Sequence, residues 1–232
     1  MCRIVILAPL LPEARAVARA LSLKGQFKGR VESNGEIAVV MIGPRASQLQ
    51  AAQEFMPRPV ILAGLGGGLK EGIRVGDLVL SEEVPLKGLT TPVHFGNICT
   101  STQVMTNPAD KMALHGRTGA IAVDMEFSAA EEFARQHRVP FLAIRAISDA
   151  VSDELDPSLL TLIDEDGRPK PTRALGMLAR NPAKMGSLLR IAKASNLALS
   201  HLAAGVAAIV KSGWPADVRG SRSQADTARS SP

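Results

Sequence analysis

The sequence predicts an α/β fold in three layers, a central, mostly parallel mixed sheet with flanking helices. Two observations carry this reading. The runs RIVILA (3–8), IAVVMI (37–42), PVILA (59–63) and FLAIRAIS (141–148) are short and almost wholly apolar, the pattern of strands covered on both faces. Between them lie segments with apolar residues at helical spacing, joined by short connections in the strand, helix, strand order of βαβ units. The chain has 232 residues, 46% of them apolar, enough for one substantial core. We expect a single domain over 1–213, followed at 214–232 by a basic, Ser-rich stretch without periodicity, read as disordered.

The elements follow in order. After the first strand, Pro12 and Glu13 open a helix to about Leu21, with proline where its missing N–H costs least. Ala14, Val17, Ala18 and Leu21 make its buried stripe. The strand at 37–42 leads through Gly43-Pro44-Arg45 to an expected helix at 46–55. The strand at 59–63 runs into Gly64-Leu65-Gly66-Gly67-Gly68, and GDLVLSEEV (76–84) reads as the next strand. Prolines interrupt 85–117, leaving a strand candidate at 97–102 and a short helix at 109–115. A strand at 120–123, a helix at 126–137 and the strand at 141–148 follow. Beyond 157 the chain reads as mostly helical, at 172–180 and 184–210, ending near Gly213.

Composition excludes several function classes. There are six Phe, one Trp and no Tyr, which argues against modules that stack bases on aromatic side chains. Of the formal charge of +5, residues 211–232 supply +2, leaving +3 over 210 residues without a basic stripe. We therefore expect no nucleic-acid partner; a nonspecific DNA-binding protein is a distant rival that no motif favours. Cys2 and Cys99 give neither a disulfide framework nor a thiolate metal site. His94, His115, His137 and His201 lack metal-ligand spacing, and no metal is expected. Met105, Met112, Met177 and Met185 read as packing. No apolar run reads as a membrane span, because 197–210 is short and contains His201. The N-terminal IVILAPLL is broken by Pro9 and reads as a buried strand rather than a leader, so the expected location is cytoplasmic.

Two constellations carry chemistry. Glycines after a strand let backbone approach a ligand closely, yet 64–68 fits neither G-x-G-x-x-G nor a Walker A loop. Close chain packing gives the same cluster. The second is sharper. Val123-Asp124-Met125-Glu126 ends one strand and Arg145-Ala146-Ile147-Ser148-Asp149 ends another, and a parallel sheet would bring both ends to its ligand-binding edge. Glu13 follows the first strand and would reach the same edge. Three carboxylates brought together cost energy unless protons or ligands are shared. A plainer reading makes Glu13 a first-turn helix carboxylate, and Asp124 or Glu126 a capping or first-turn residue. Arg145, a charge in an apolar strand, requires a partner.

VDMEFSAAEEFARQHRVPFLAIRAISD (123–149) resembles the signature of the purine nucleoside phosphorylase and methylthioadenosine/S-adenosylhomocysteine nucleosidase superfamily. ILAPLLPEA resembles the family's first strand and helix-opening glutamate, and AGLGGGLKEGIRVGDLVLSEEV (63–84) its glycine-rich strand end and the strand that follows. The resemblance implies the nucleoside phosphorylase-like fold and cleavage of a purine N-glycosidic bond. It makes Asp149 the general acid toward purine N7, with Ser148 and Arg145, counted among the substrate-binding residues, orienting that aspartate or closing its surroundings. Glu126 would grip the ribose hydroxyls and Met125 would pack on the sugar. Glu13 would position and deprotonate water, and Gly66 and Gly67 would line the base or ribose edge. LHGRTGAIAVDME and ARNPAKMGSLLRIAKASNLAL (179–199) are similar to a bacterial phosphorylase-like branch associated with hopanoid lipid synthesis, which implies an adenosyl-lipid substrate. The family also implies a homo-oligomer, with a dimer favoured.

Water and phosphate compete as nucleophile. A phosphorylase must hold a phosphate dianion with N–H groups, arginines and hydroxyls. AGLGGG supplies no arginine or hydroxyl, Arg45 is the candidate phosphate-binding residue, and a charged Glu13 suits water better. The expectation is a nucleosidase without cofactor; the alternative is a phosphorylase with inorganic phosphate as co-substrate. One departure stands out: only 38 residues separate Val84 from Val123, with Phe95 as their sole aromatic, where the family normally spends more chain. A catalytically impaired nucleoside-binding relative is the third reading.

Overall fold

The computed structural model describes residues 3–27, 29–160, 162 and 170–215. The expected disordered stretch therefore lies, from residue 216 on, outside the described residues. Strands β1 (Ile4–Ala8), β3 (Ile37–Met41), β4 (Val60–Gly68) and β9 (Phe141–Asp149) form the parallel centre of a nine-stranded sheet, in the spatial order β3-β1-β4-β9. Their apolar runs are buried nearly throughout, as strands covered on both faces must be. The short strand β2 (Val31–Ser33), not foreseen, lines the β3 edge antiparallel. On the far side β5 (Leu78–Leu80) pairs antiparallel with β9, and β6 (Val93–Phe95), also not foreseen, pairs parallel with β5.

Two apolar layers complete the sandwich. Helix α1 (Leu11–Ala20) buries Leu11, Ala14, Val17 and Ala18 on one face of the sheet, beside Ala198, Leu202, Val206 and Ile209 of the long helix α6 (Met185–Ser212). On the other face Ala130, Phe133 and Ala134 of α3 (Phe127–Gln136) pack with Val5, Leu7, Val60, Leu62 and Ala143. Between these lie α2 (Pro108–Thr118), the short α4 (Pro157–Leu160) and α5 (Pro171–Arg180). The helical stretch Pro182–Ser212 is long and apolar enough to cross a membrane, contrary to the expectation from 197–210 alone. The burial of its second half against the sheet accounts for its apolar character.

Three local expectations are corrected. No helix spans 46–55; Pro44–Ala46 and Leu49–Phe55 are separate 3-10 turns. Arg45 and Ala46 have φ of 54° and 55°, and the Arg45 N–H is taken by Glu126, so a tertiary bond displaces the regular helix. The glycines 64–68 do not follow the third strand but continue it. Finally, β8 (Ala122–Asp124) is no member of a parallel βαβ unit. It pairs antiparallel with Gly67 and Gly68 at the carboxyl end of β4, and parallel with β7 (Ile98–Thr100). The unusual length of β4 gives β8 its place.

Candidate active site

The carboxyl end of β4 gathers charged side chains from four other elements. Glu13, in the first turn of α1, is buried; its Oε2 accepts the Leu10 N–H at 2.7 Å and its Oε1 accepts the Leu65 N–H at 2.7 Å. The first bond closes the helix end, the second ties α1 to β4. Glu13 is thus both the dipole-favoured first-turn carboxylate and a member of the strand-end cluster. Burial pushes its pKa up from 4.5 to about 7, against the pull of the Leu65 N–H and of Arg145, and with a push from Glu126.

Glu126 comes from the turn between β8 and α3. Its Oε1 accepts the Arg45 N–H at 2.9 Å, and its Oε2 lies 3.9 Å from Arg145 Nη2. Burial raises this carboxyl as well; Arg145 opposes the shift and Asp124 adds to it. Arg145 is fully buried and ion-paired with Asp124. Burial works against its charge, but Asp124, Glu126 and Glu13 outweigh that cost and raise its pKa. Arg145 Nε and Nη1 are buried without a hydrogen-bond partner in the structure. Asp124 also accepts the N–H groups of Glu126 and Phe127 through Oδ1, at 3.2 and 3.0 Å, the capping work foreseen for it.

Asp149 ends β9, beside Gly67. Ser148 Oγ donates to its Oδ1 at 2.8 Å and Lys111 Nζ to its Oδ2 at 2.5 Å. Arg145 does not orient this aspartate, as the resemblance had implied. Regular alternation would put positions 145 and 149 on one face of β9, but the register shifts there, Gly66 pairing with Ile147 and Gly67 with Asp149, and Arg145 goes to Asp124 instead. Arg45 likewise brings its N–H rather than its guanidinium to the cluster, since Nη2 donates to the Thr102 carbonyl at 3.1 Å. Met125 is half-buried between Asp124 and Glu126.

The glycines make room for this cluster. A Cβ on Gly64 would strike Arg145 Nη1 and lie 3.0 Å from Glu13 Oε1. On Gly66 it would sit 2.9 Å from the Val123 carbonyl, and on Gly67 3.2 Å from Asp149 Oδ2. Close packing explains the glycines, and what they pack against is the carboxylate cluster itself.

Lys111 is the residue that sequence reasoning missed. Helix α2 starts at Asn107, whose Oδ1 accepts the Ala109 N–H at 2.8 Å, and stops at Gly119 with φ +66°. Lys111, in the turn after that cap, is wholly buried. A lysine on a short polar helix ordinarily reads as solvated, and its one signal is that it shares a face with Leu114. Among the described residues no group of three His, Cys, Asp or Glu side chains is arranged for a metal ion.

Comparison with known proteins agrees with this architecture. Residues 85–175 match the family model described as the phosphorylase superfamily. The 5′-methylthioadenosine/S-adenosylhomocysteine nucleosidases of Bacillus cytotoxicus and Bacillus thuringiensis subsp. konkukian are each 24% identical over 191 residues, covering 66% of this chain and 83% of theirs. Among solved structures, a putative nucleosidase of the same name from Borrelia burgdorferi, bound to adenine, superposes with a TM-score of 0.63 at 15% identity, over 90% of this chain and 99% of that one. The Neisseria meningitidis enzyme in complex with methylthio-immucillin-A gives 0.62 at 18% identity, over 91% and 100%. Residues 85–175 are thus similar to the phosphorylase superfamily, and nine-tenths of the chain has the fold of these nucleosidase structures.

Proposed function

We propose that this protein hydrolyses the N-glycosidic bond of an adenine nucleoside. The observation that carries the reading is Glu13, a buried carboxyl with a pKa of about 7, held by two backbone N–H groups beside Glu126 and Arg145. Such a group is poised to take a proton from water at neutral pH. In this reading Glu126 binds the ribose hydroxyls, and its charge favours the oxocarbenium-like transition state. Met125 packs on the sugar, and Gly66 and Gly67 leave space at the base or ribose edge. Asp149, fixed by Ser148, delivers the proton that lets the base leave as a neutral purine. The names of the curated relatives support the same substrate class.

Water is favoured over phosphate as nucleophile. Arg145 is committed to Asp124, and the Arg45 guanidinium to Thr102, while Glu13 and Glu126 would repel a dianion. The test is adenine release from 5′-methylthioadenosine, S-adenosylhomocysteine, adenosine and an adenosyl-hopane lipid, with and without phosphate, for wild type beside Asp149→Asn. Release without phosphate that the substitution abolishes supports the hydrolase. Release that requires phosphate assigns a phosphorylase, and substrate binding without turnover assigns the impaired relative. The same reading includes a homodimer, to be checked by sedimentation.

A further inference from the structure

Lys111 is a wholly buried ammonium with three hydrogen-bond partners. Its Nζ donates to Asp149 Oδ2 at 2.5 Å, to the Ala150 carbonyl at 2.8 Å and to the Asp153 carbonyl at 3.1 Å, which uses all three of its N–H bonds. The charged groups around it are few. Asp149 faces it from β9. From the following turn Asp153 gives only its carbonyl, its own Oδ2 accepting the Ala150 N–H at 2.8 Å. On α2 itself Asp110 is exposed, and His115 Nδ1 is bonded to the Ala120 carbonyl at 2.7 Å. The ammonium is therefore addressed to one carboxylate. A buried lysine is costly unless paired, and this pairing is the opposite of what an isolated acid would need. Both Asp149 oxygens accept hydrogen bonds, Oδ1 from Ser148 and Oδ2 from Lys111, as in an ionised carboxylate.

We infer that Lys111 is the positioning residue of Asp149 and the source of the proton that Asp149 passes to the leaving base. This rests on the hydrolase reading above. In the step, a Lys111 Nζ–H bond breaks as the proton moves to Asp149, and Asp149 gives a proton to N7 of the purine. The bond between C1′ and N9 breaks, with its electron pair going to the base, and the base leaves neutral. Water adds to C1′ and loses its proton to Glu13. Lys111, left as an amine, regains a proton from solvent when the product departs, and Glu13 returns its own. Asp149 starts and ends as a carboxylate, so the acid is the pair rather than the aspartate alone. The carbonyls of Ala150 and Asp153 hold the ammonium in place through the cycle.

The test compares wild type, Lys111→Met and Lys111→Gln on two substrates. One is whichever of 5′-methylthioadenosine, S-adenosylhomocysteine, adenosine or the adenosyl-hopane lipid the wild type cleaves. The other is a 4-nitrophenyl riboside, whose phenolate leaves without a proton and whose turnover also reports a folded site. Both variants are expected to lose about 10²- to 10⁴-fold in kcat on the nucleoside with KM little changed. The alkaline limb of the wild-type pH profile should move or vanish in both variants, and loss on the riboside should stay under about tenfold. A pH profile of unchanged shape overturns the proposal, as does equal loss on both substrates or an effect confined to KM. The profile on the nucleoside decides if the riboside is inert. A wild type that cleaves no nucleoside removes the hydrolase reading and this inference with it, an outcome seen before any variant is made.

Discussion

Arg145 is paired with Asp124 and not with Asp149, although Asp149 lies four residues further along the same strand. The register shift in β9 between Ile147 and Asp149, together with the antiparallel attachment of β8 to β4, delivers Arg145 to one group of carboxylates and leaves Asp149 to Lys111. The candidate site thus has two halves. Glu13, Asp124, Glu126 and Arg145 form the first; Asp149, Ser148 and Lys111 form the second, with β4 between them.

Removing the cation of the first half should be costly. Arg145→Met leaves Asp124 and Glu126 buried without their counter-ion, and we expect a loss of about 3–5 kcal/mol in urea unfolding. Asp124→Asn added to Arg145→Met should recover part of that loss, because the uncompensated charge goes with it. Strictly additive losses would show that the two side chains act independently.

Glu13 should set the acid limb of activity. A base with a pKa of about 7 works only when ionised, so kcat/KM should fall with unit slope below about pH 7. Glu13→Gln should lower kcat by about 10²- to 10⁴-fold and flatten that limb. A limb that persists unchanged in the variant would assign it to another group.

The same residue should make stability depend on pH, in the direction opposite to an ordinary salt-bridged carboxylate. Below about pH 4.5 Glu13 holds its proton in both folded and unfolded chains, and its ionisation costs the fold nothing. As pH rises, the unfolded chain loses that proton first, while the folded chain keeps it until about 7. Stability therefore falls between these values, by about 3 kcal/mol, and the deficit persists above them. Urea midpoints across pH 4.5–8 should show this slope in wild type and a shallower one in Glu13→Gln. Part of the slope should remain, because burial raises Glu126 too.

Two glycines should respond with opposite signs. Gly66→Ala would push a methyl to 2.9 Å from the Val123 carbonyl and part β4 from β8, at a cost of about 1–3 kcal/mol. In α2, Gly116 has nothing within 4 Å of its missing Cβ, and Gly116→Ala should stabilise by about 0.5–1 kcal/mol through helix propensity. Thermal melts of the two variants check both signs.

What the sequence determined by itself is local. Apolar runs of five or six residues can be satisfied only as covered strands, so β1, β3, β4 and β9 were legible, as were the stripes of α1 and α3. That Glu13, Glu126 and Asp149 come to the carboxyl edge of the sheet was legible because each follows or ends an apolar run; the roles proposed for them came from the resemblance. Three other features depend on distant chain. A three-residue strand such as β8 carries too little pattern to reveal its direction, which the overhanging end of β4 decides. The loss of a helix at 46–55 depends on a bond between residues 81 positions apart. The partners of Arg145 and Lys111 lie 21 and 38 positions away. A charge in a sequence states only that it must be solvated or paired; which of these holds, and with whom, is fixed by the low-dielectric space that the folded sheet closes around it.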